Sequence, residues 1–518
     1  MSLTGLAISK VIHGSALAAN ACQMLLGTAE RHQDDPAVID DPLTVSYGGL
    51  AGRALAIASS LKEAGIRPDD RVAVLLRRNA DAAAAFFGVL AVGAIVVVVN
   101  DQLRPRQIEH MLSHSASSAL LTSSDLIDRL PRPLETSAVL IDVEELPAAE
   151  WAPPVSRVES DIAQIVYTSG STGLPKGVTF SHANLWTGMR AVTSYLGVSQ
   201  RDRIASLLPF SFDYGLNQLL CAVGTGAALV IERSSNAARV VRSLREQAVT
   251  VLPAVPPLWL QLLNVPEFRT ERMRSLRALT NTGGRLPRTA VHSLRECQPH
   301  AELFLMYGLT EAFRSTYLLP DRVDRKAGSI GQAIPGAEVM VINEQLEECG
   351  PGEIGELVHR GPTVALGYWD DPEASARVYR PHPLRPRGAP DAERVVFSGD
   401  LVYRDEEGDL FFVGRDDAMI KTLGYRVSPD EVTDTLYASG EVVEAVVAAE
   451  PDALRGQQIV AYVVLTEEGT VDRLEQFAAR EMPRYMRPSR IEVRERLLRT
   501  TSGKHDAAAT AREPRDLG

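Results

Sequence analysis

The sequence contains few cysteines, and their spacing matches neither a metal-binding motif nor a disulfide framework. Its 518 residues include only Cys22, Cys221, Cys297 and Cys349, with no CxxC pair and no histidine cluster near any of them. Zinc sites and disulfide frameworks depend on such spacings, so neither is indicated. We expect a reducing, cytoplasmic setting for this chain.

An excess of positive charge is also missing. Lys and Arg number 54 against 66 for Asp and Glu, which gives a formal net charge of −12. The arginines form no basic stripe interleaved with aromatic residues. Nucleic acid is therefore not the expected main partner, and anionic substrates must be captured by local sites.

The chain has no unbroken apolar run. Its most apolar segment, 82–99, is interrupted by Gly88 and Gly93, and its second half is β-branched. The length would allow a membrane span, but this pattern favours a helix that passes into a buried parallel strand. The N-terminus also lacks the basic start, apolar core and cleavage site of a signal peptide. We expect no membrane span.

The hydrophobic pattern predicts an α/β protein of more than one structural unit. Helix-like segments at 47–64, 81–90 and 105–115 alternate with strand-like segments at 71–76, 95–99 and 118–121. This alternation indicates mainly parallel sheets flanked by helices. From Gly331 the strands become shorter and lie between Gly and Pro turns, which predicts an antiparallel or barrel-like subdomain. After Arg415 a compact unit of strands and helices remains, and we expect the tail from Ala507 to be disordered.

The most informative stretch is 168–177, which reads TSGSTGLPKG. Its hydroxyl side chains and glycines leave backbone N–H groups free to surround an anion, and Lys176 adds a mobile positive charge. A strand-like segment at 162–167 leads into it. The alternative is a flexible surface turn. Lys176 is followed by Gly177 rather than Ser or Thr, which disfavours the P-loop of kinases and motor-type NTPases. The stretch predicts a triphosphate site of another kind.

A second stretch, 307–312, reads YGLTEA and brings together three useful groups. An aromatic ring can stack on a purine, and a threonine hydroxyl can bond an α-phosphate. A carboxylate can hold Mg²⁺ against phosphate oxygens. A nucleotide bound with magnesium would use all three.

These two stretches resemble the signatures of the adenylate-forming ligase superfamily, which includes acyl-CoA synthetases, adenylation domains of peptide synthetases and beetle luciferases. The resemblance covers essentially the whole chain. It implies a large N-terminal domain at 1–415, with the barrel-like subdomain at 331–415, and a small mobile α+β domain at 416–518. It also implies ATP and Mg²⁺ as cofactors. The residues that it assigns to the nucleotide are Thr168, Ser169, Gly170, Ser171, Thr172, Gly173, Lys176 and Tyr307. It assigns catalytic roles to Thr310 and Glu311, and Glu311 is also the metal ligand.

Further matches follow in the order that the family shows. By resemblance, Gly283 and Gly284 form the turn under the adenine, Asp400 and Arg415 contact the ribose, Asp417 is the hinge between the domains, Gly424 lines the thiol channel, and Lys504 is the catalytic lysine. A single glycine pair or terminal lysine would carry little weight alone. The chain departs from the family pattern at Leu498 and Ala507, which puts the rigidity of the lysine loop in doubt.

The acid substrate is indicated less directly. Asp213 occupies the place where amino-acid-activating relatives pair an Asp with the substrate ammonium group. A buried carboxylate needs a cationic partner, which a substrate amine would provide. Alternatively, Asp213 caps a helix that begins at Tyr214. Arg314 could contact a polar substrate group or belong to a structural ion pair.

The resemblance implies a two-step reaction: adenylation of a carboxylic acid with release of pyrophosphate, then transfer to a thiol on CoA or on a separate carrier protein. The substrate is an amino or imino acid in one interpretation and a fatty or aryl acid in the other. The sequence also resembles exosortase-associated acyl-CoA ligases. The competing functions are a luciferase-like oxygenase and a catalytically silent nucleotide-binding protein.

Overall fold

The computed structural model describes residues 19–103, 105–127, 130, 138–146, 153–169, 175–386, 388, 393–415, 418–422, 425–452, 456–500 and 503–513. The helices are α1 (Gln23–Arg31), α2 (Tyr47–Glu63), α3 (Ala80–Ala91), α4 (Pro105–His114), α5 (Ser124–Ile127), α6 (His182–Leu196), α7 (Asp213–Thr225), α8 (Ala237–Glu246), α9 (Pro256–Leu263), α10 (Pro266–Thr270), α11 (Arg288–Cys297), α12 (Pro372–Val378), α13 (Pro429–Ala438), α14 (Val471–Glu481) and α15 (Ala507–Arg512).

The strands are β1 (Pro36–Asp40), β2 (Leu43–Ser46), β3 (Arg71–Val74), β4 (Ile95–Val98), β5 (Ala119–Thr122), β6 (Val139–Asp142), β7 (Ile162–Ser169), β8 (Pro175–Ser181), β9 (Arg203–Ser206), β10 (Ala228–Ile231), β11 (Val251–Ala254), β12 (Ala278–Asn281), β13 (Glu302–Tyr307), β14 (Thr316–Leu318), β15 (Ser329–Ala333), β16 (Glu338–Ile342), β17 (Gly355–Arg360), β18 (Gly367–Tyr368), β19 (Tyr379–Pro381), β20 (Arg394–Arg404), β21 (Leu410–Arg415), β22 (Ile420–Thr422), β23 (Tyr425–Val427), β24 (Val442–Asp452), β25 (Gly456–Leu465) and β26 (Arg490–Val493).

Two sheets with parallel centres form the large N-terminal domain, as the alternating pattern predicts. In the first sheet, β13, β12, β11, β9, β10 and β1 run parallel in that order. The second sheet has the order β18-β8-β7-β4-β3-β5-β6. In it, β8 pairs antiparallel with both β7 and β18, and the other pairs are parallel. Helices α2, α3, α6 and α7 contribute many apolar side chains to the core that joins the sheets. The carboxyl ends of the parallel strands position the site described below.

The region after Gly331 is antiparallel but does not close into a barrel. Strands β14, β15, β21, β20, β17 and β16 continue the first sheet in that order. Among the described residues, β16 is the last strand on this side, so the sheet stays open. The antiparallel part of the prediction is confirmed, and no closed barrel is seen among the described residues.

The smaller C-terminal domain contains a sheet of β23, β22, β25, β24 and β26. Helices α13 and α14 cover it with an apolar cluster of their own. The predicted disorder from Ala507 is wrong as far as residue 512, because Asp506 caps helix α15 and Thr510 of this helix is fully buried. Ala507 and Ala511 pack against the sheet. Helix α15 therefore fixes the chain just after Lys504.

The apolar segment 82–99 is a buried helix followed by a strand, as the glycine and β-branched pattern predicts. Nearly every residue of α3 is buried, and β4 lies in the second sheet between β3 and β7. A Cβ on Gly88 would lie 2.7 Å from the carbonyl oxygen of Ala54, so this glycine lets α3 pack closely against α2. None of the helices in the described ranges combines the length and the apolar character needed to cross a bilayer.

Candidate active site

Three of the predicted site residues lie just beyond the carboxyl ends of parallel strands of the first sheet. Asp213 follows β9, Gly283 follows β12, and Thr310 follows β13. Ligands of open α/β sheets bind at this edge, because the loops that leave neighbouring strands converge there. Gly283 has φ of +80°, a backbone conformation that glycine adopts without strain.

On one side of the site, Tyr307, Asp400 and Arg415 form a connected group. Asp400 and Arg415 are directly opposite each other on β20 and β21, and Arg415 Nη1 lies 3.3 Å from Asp400 Oδ1. The Tyr307 hydroxyl donates to Asp400 Oδ2. Burial and the neighbouring carboxylate of Asp400 hold the pKa of Tyr307 well above its ordinary value. The structure thus brings together the three residues predicted to surround the purine and the ribose.

A second group of contacts connects Lys176 and Glu311 through a tyrosine. Lys176 Nζ lies 5.6 Å from the centre of the Tyr368 ring, and the Tyr368 hydroxyl donates to Glu311 Oε1 at 2.6 Å. Burial and the nearby Glu311 carboxylate raise the pKa of Tyr368, which keeps this hydroxyl a donor. Lys176 lies opposite Thr168 in the β7–β8 hairpin. The hairpin therefore presents the start and the end of the glycine-rich loop to Glu311.

Lys504 reaches the centre of the site from the C-terminal domain. Its Nζ lies 5.5 Å from the centre of the Phe212 ring, and its Cε would lie 3.2 Å from a Cβ on Gly283. Burial lowers the pKa of Lys504; Asp213 and Asp400 raise it, and Arg314 and Arg415 lower it. The ammonium group therefore lies among both the nucleotide residues and the predicted acid-binding residues.

The loop that carries Lys504 is held by hydrogen bonds and by one acidic residue. Thr500 N–H donates to the Lys504 carbonyl at 2.8 Å, and Lys504 N–H donates to Thr500 Oγ1 at 3.2 Å. Arg499 donates to Glu444 Oε1, which also lies 3.7 Å from His505 Nε2. Glu444 thus contacts both residues at the base of the loop. These contacts answer the doubt about loop rigidity that Leu498 and Ala507 raised.

Asp213 and Arg314 face each other in a buried position. Arg314 Nη1 lies 3.8 Å from Asp213 Oδ2. The side chain of Arg314 is 3% exposed and that of Asp213 is 6% exposed. Helix α7 begins at Asp213 itself, and Phe212 takes the capping position without a side-chain hydrogen bond. The capping interpretation of Asp213 is therefore wrong, although Asp213 Oδ1 does accept from the N–H of Tyr214 at 2.7 Å.

Several predicted residues lie outside the described part of the chain. They are Gly170, Ser171, Thr172 and Gly173 of the loop, the hinge residue Asp417, and Gly424 of the thiol channel. Ser169 is described only as the last residue of β7, and Gly284 as the carbonyl that accepts from Asn281 Nδ2 at 3.1 Å. Their roles remain predictions.

Three contributors to the site were not found from the sequence. Glu444 had a usable signal, since it is the only charged residue in the apolar run 442–448. Phe212 was part of the segment around Asp213, but nothing in the sequence connects it to Lys504. Tyr368 had no signal, because the pairing of β18 with β8 alone brings it to Glu311.

A model of the AMP-binding enzyme family matches residues 26–369, and one of its C-terminal domain matches residues 431–504. The chain belongs to this family of adenylate-forming ligases. The first match covers more than half of the sequence and includes Thr168, Lys176 and Glu311. The second includes Lys504 and supports a separate, smaller C-terminal domain.

The similar proteins differ in what their names describe. The chain is 30% identical over 93% of its length to a linear gramicidin synthase of Brevibacillus parabrevis, but spans only 9% of that protein. It is 30% identical over 95% of its length to novobiocin biosynthesis protein H of Streptomyces niveus and covers 83% of it. A long-chain-fatty-acid–CoA ligase of Salmonella typhimurium is 28% identical, with coverage of 92% of this chain and 91% of the ligase.

Solved structures agree on the fold of the whole chain. A benzoate CoA ligase from Burkholderia xenovorans has a TM-score of 0.86 at 27% identity and covers 95% of this chain and 100% of its own. O-succinylbenzoate coenzyme A synthetase from Bacillus subtilis, in complex with ATP and magnesium ion, has a TM-score of 0.81 at 27% identity, with coverage of 93% of this chain and 98% of its own.

Proposed function

We propose that the protein is an ATP- and Mg²⁺-dependent ligase that adenylates a carboxylic acid and passes the acyl group to a thiol. In the first step a carboxylate oxygen attacks the α-phosphorus of ATP, a new C–O–P bond forms, and pyrophosphate leaves. In the second step a thiol sulfur attacks the acyl carbon, the thiol proton is lost to solvent, and AMP leaves. The observation that carries the proposal is the position of the Lys504 side chain, whose Nζ lies over the Phe212 ring next to Asp213 and whose Cε lies beside Gly283.

Lys504 suits the first step because two anions must approach each other there. An ammonium between the acid carboxylate and the α-phosphate offsets their repulsion and fixes their orientation. Burial, which lowers the pKa of Lys504, also strengthens such interactions, because the local dielectric is lower than that of water. Exclusion of water would also protect the reactive acyl-adenylate from hydrolysis.

The nucleotide residues fit the remaining charges of ATP. Glu311 offers a half-buried carboxylate near Lys176. A carboxylate oxygen is a ligand that Mg²⁺ prefers, together with phosphate oxygens. The metal, when bound, would neutralise the charge of the leaving pyrophosphate. Thr310 would bond the α-phosphate, Lys176 and the glycine-rich loop the pyrophosphate, and Asp400 and Arg415 the ribose.

The thiol step is proposed to follow a movement of the C-terminal domain, 416–518, on the N-terminal domain, 1–415, about Asp417. This would withdraw Lys504 and bring Gly424 toward the thiol. A cleft of about 610 Å³ adjoins the Lys504 loop and is lined by Gly503, Arg499, Arg77 and Arg78, among others. Its guanidinium groups support an acceptor with a phosphate-bearing arm, which both CoA and a carrier protein possess.

For the acid, we propose an amino or imino acid whose ammonium group is read by Asp213. Burial of Asp213 supports this assignment, because Arg314 at 3.8 Å is too distant for a hydrogen bond to its Oδ2. The second candidate is a fatty or aryl acid with Asp213 in a purely structural pair. The similarity to a fatty-acid ligase and to a benzoate ligase supports that candidate.

Pyrophosphate exchange across a panel of amino, imino, fatty and aryl acids tests the proposal. We expect acid-dependent exchange, with AMP and pyrophosphate as products. Asp213→Asn should lower kcat/KM by about 10- to 100-fold for acids that carry an amine and leave other acids unaffected. Release of ADP and orthophosphate would contradict the reaction type. Exchange with simple fatty acids alone would contradict the role of Asp213, and oxygen-dependent light emission would favour a luciferase.

A further inference from the structure

Arg314 is buried with a large part of its hydrogen-bonding capacity unused. Its Nη1 donates to the carbonyl of Phe313 at 2.9 Å and also faces Asp213. Its Nε and Nη2 are buried and have no hydrogen-bond partner among the residues that the structure describes. Buried guanidinium groups are normally paired, since an unsatisfied charged donor is unfavourable. The free N–H groups therefore indicate a missing acceptor.

The two free nitrogens are the ones that recognise a carboxylate best. Nε and Nη2 lie on the same edge of the guanidinium plane, and their parallel N–H bonds match the two oxygens of one carboxylate. A single carbonyl would occupy only one of them. The Tyr214 ring lies against the guanidinium at 5.0 Å and restrains its plane. This edge of Arg314 is thus prepared for a bidentate partner.

The protein does not supply that partner from Asp213. Asp213 Oδ1 already accepts from the N–H of Tyr214, and Oδ2 lies beyond hydrogen-bond distance from Nη1. One turn further along α7, Asn217 is 3% exposed, and its Nδ2 has no partner among the described residues. Two guanidinium nitrogens of Arg314 and an amide one turn from Asp213 are therefore buried donors without an acceptor among the described residues, and acceptor oxygens on a ligand would satisfy them.

The location ties these groups to the acid rather than to the nucleotide. Asp213 directly follows Phe212, whose ring contacts the Lys504 ammonium. The Tyr214 ring meets the Phe212 ring edge-on at 6.3 Å. Arg314 follows Glu311 by three residues, but its side chain contacts Asp213 and Tyr214, whereas that of Glu311 contacts Tyr368. The far end of an acid whose carboxylate meets Lys504 would lie near Arg314.

We infer that Arg314 binds a second carboxylate on the acid substrate, through Nε and Nη2, with Asn217 as a further donor. This rests on the proposed adenylation of an acid and narrows its substrate class to dicarboxylic acids. The charges support the same class: Asp213 and Arg314 sum to zero, and a second carboxylate together with an ammonium group adds zero net charge. An amino dicarboxylic acid would thus leave no uncompensated charge in the pocket.

A matched panel tests the inference by pyrophosphate exchange. The four-carbon set is aspartate, succinate, 2-aminobutyrate and butyrate; the five-carbon set is glutamate, glutarate, norvaline and valerate; the aryl pair is phthalate and benzoate. Each set separates the second carboxylate from the amine. We expect at least one dicarboxylic acid to exceed its matched monocarboxylic acid by about tenfold or more in kcat/KM.

Variants of Arg314 connect that preference to the residue. Arg314→Met should remove it, with a roughly 100-fold loss for the dicarboxylic acid and an unchanged KM for ATP. Arg314→Lys should keep a weaker preference, because an ammonium group binds as a point charge. Arg157→Met is the matched control, since Arg157 is also a buried arginine but pairs with Asp69 and Asp161. It should keep the acid selectivity of the unmodified protein.

The outcomes separate this inference from the proposed function. Exchange that is equal or better with monocarboxylic acids would overturn the role of Arg314 and leave adenylation intact. The role of Arg314 would also be overturned if Arg314→Met shows a normal thermal unfolding transition, and is therefore folded, but keeps the preference for dicarboxylic acids. An absence of exchange with every acid, together with ATP cleavage to ADP, would overturn the adenylation proposal itself.

Discussion

The nucleotide side and the acid side of the site are built in opposite ways. Tyr307, Asp400 and Arg415 contact one another, so this side is already organised by its own hydrogen bonds. On the acid side, Arg314 Nε and Nη2 and Asn217 Nδ2 have no partner among the described residues. The nucleotide side must exchange existing contacts for those with its ligand. The acid side makes new hydrogen bonds only when a ligand binds.

This difference suggests how selectivity is distributed. A self-contained nucleotide side binds the same ligand whichever acid is present. A pocket with unused donors discriminates strongly, because an acid that lacks the matching acceptor leaves those donors buried and unsatisfied. We therefore expect changes on the nucleotide side to affect all acids alike, and changes on the acid side to alter their ranking.

The largest expected effect concerns the group that both sides share. Lys504→Ala should reduce adenylation of every acid by roughly 10³-fold while leaving ATP binding within a factor of a few, because it removes charge stabilisation between the two reacting anions. Pyrophosphate exchange and calorimetric ATP titration measure the two quantities. Lys62→Ala, at an exposed position near the end of α2, is the control. Unchanged turnover would remove Lys504 from the mechanism.

The next effect isolates the nucleotide side. Asp400→Asn should raise KM for ATP by about 10- to 100-fold, because Asp400 is buried and its charge holds both Tyr307 and Arg415. The ratios of kcat/KM between acids should stay constant. Steady-state kinetics with two different acids provides the check. A change in acid ranking would break the distinction between the two sides.

A smaller effect is expected from the positioning of the lysine loop. Glu444→Gln should lower kcat by about tenfold for all acids, since a neutral amide holds Arg499 and His505 less firmly and the Lys504 loop becomes less ordered. KM for ATP should change little. Glu444→Asp should recover part of the rate. A structural role alone would instead show up as a lower melting temperature with normal kcat.

The smallest effect concerns the contact between the domains. Arg285 Nη2 lies 2.9 Å from Asp434 Oδ2, and burial raises the pKa of Asp434 to about 6, despite the opposing effect of Arg285. This carboxyl ionises at a lower pH in the unfolded chain than in the folded protein. The free energy of unfolding therefore falls as the pH rises from about 4 to 6. Asp434→Asn should avoid about 2 kcal/mol of that loss.

Thermal unfolding at pH 4 and pH 7.5 measures this difference. The melting temperatures of the two proteins should be close at pH 4, and Asp434→Asn should melt higher at pH 7.5. Asp472→Asn, in the first turn of α14 on an exposed position, serves as the control. A lower melting temperature of Asp434→Asn at pH 7.5 would mean that the ion pair with Arg285 outweighs the effect of burial.

The sequence was informative where a function depends on contiguous residues and less so where it depends on tertiary pairing. The period of apolar residues predicted β3, β4 and helix α3 between them to within a few residues. Tyr307, Thr310 and Glu311 lie in one short stretch, so their chemistry could be read directly. The contact of Tyr368 with Glu311 arises from pairing between distant strands, and no local pattern encodes it. The unused N–H groups of Arg314 likewise follow from burial, which sequence alone does not give.

The ion pair of Arg285 has one more consequence, because this residue directly follows Gly284. A single turn, predicted to lie under the adenine, therefore also carries a contact to the C-terminal domain. If this domain moves before the thiol step, as proposed, the ion pair must break or the turn must move with it. A bound adenylate would then influence how readily the lysine-bearing domain leaves the site.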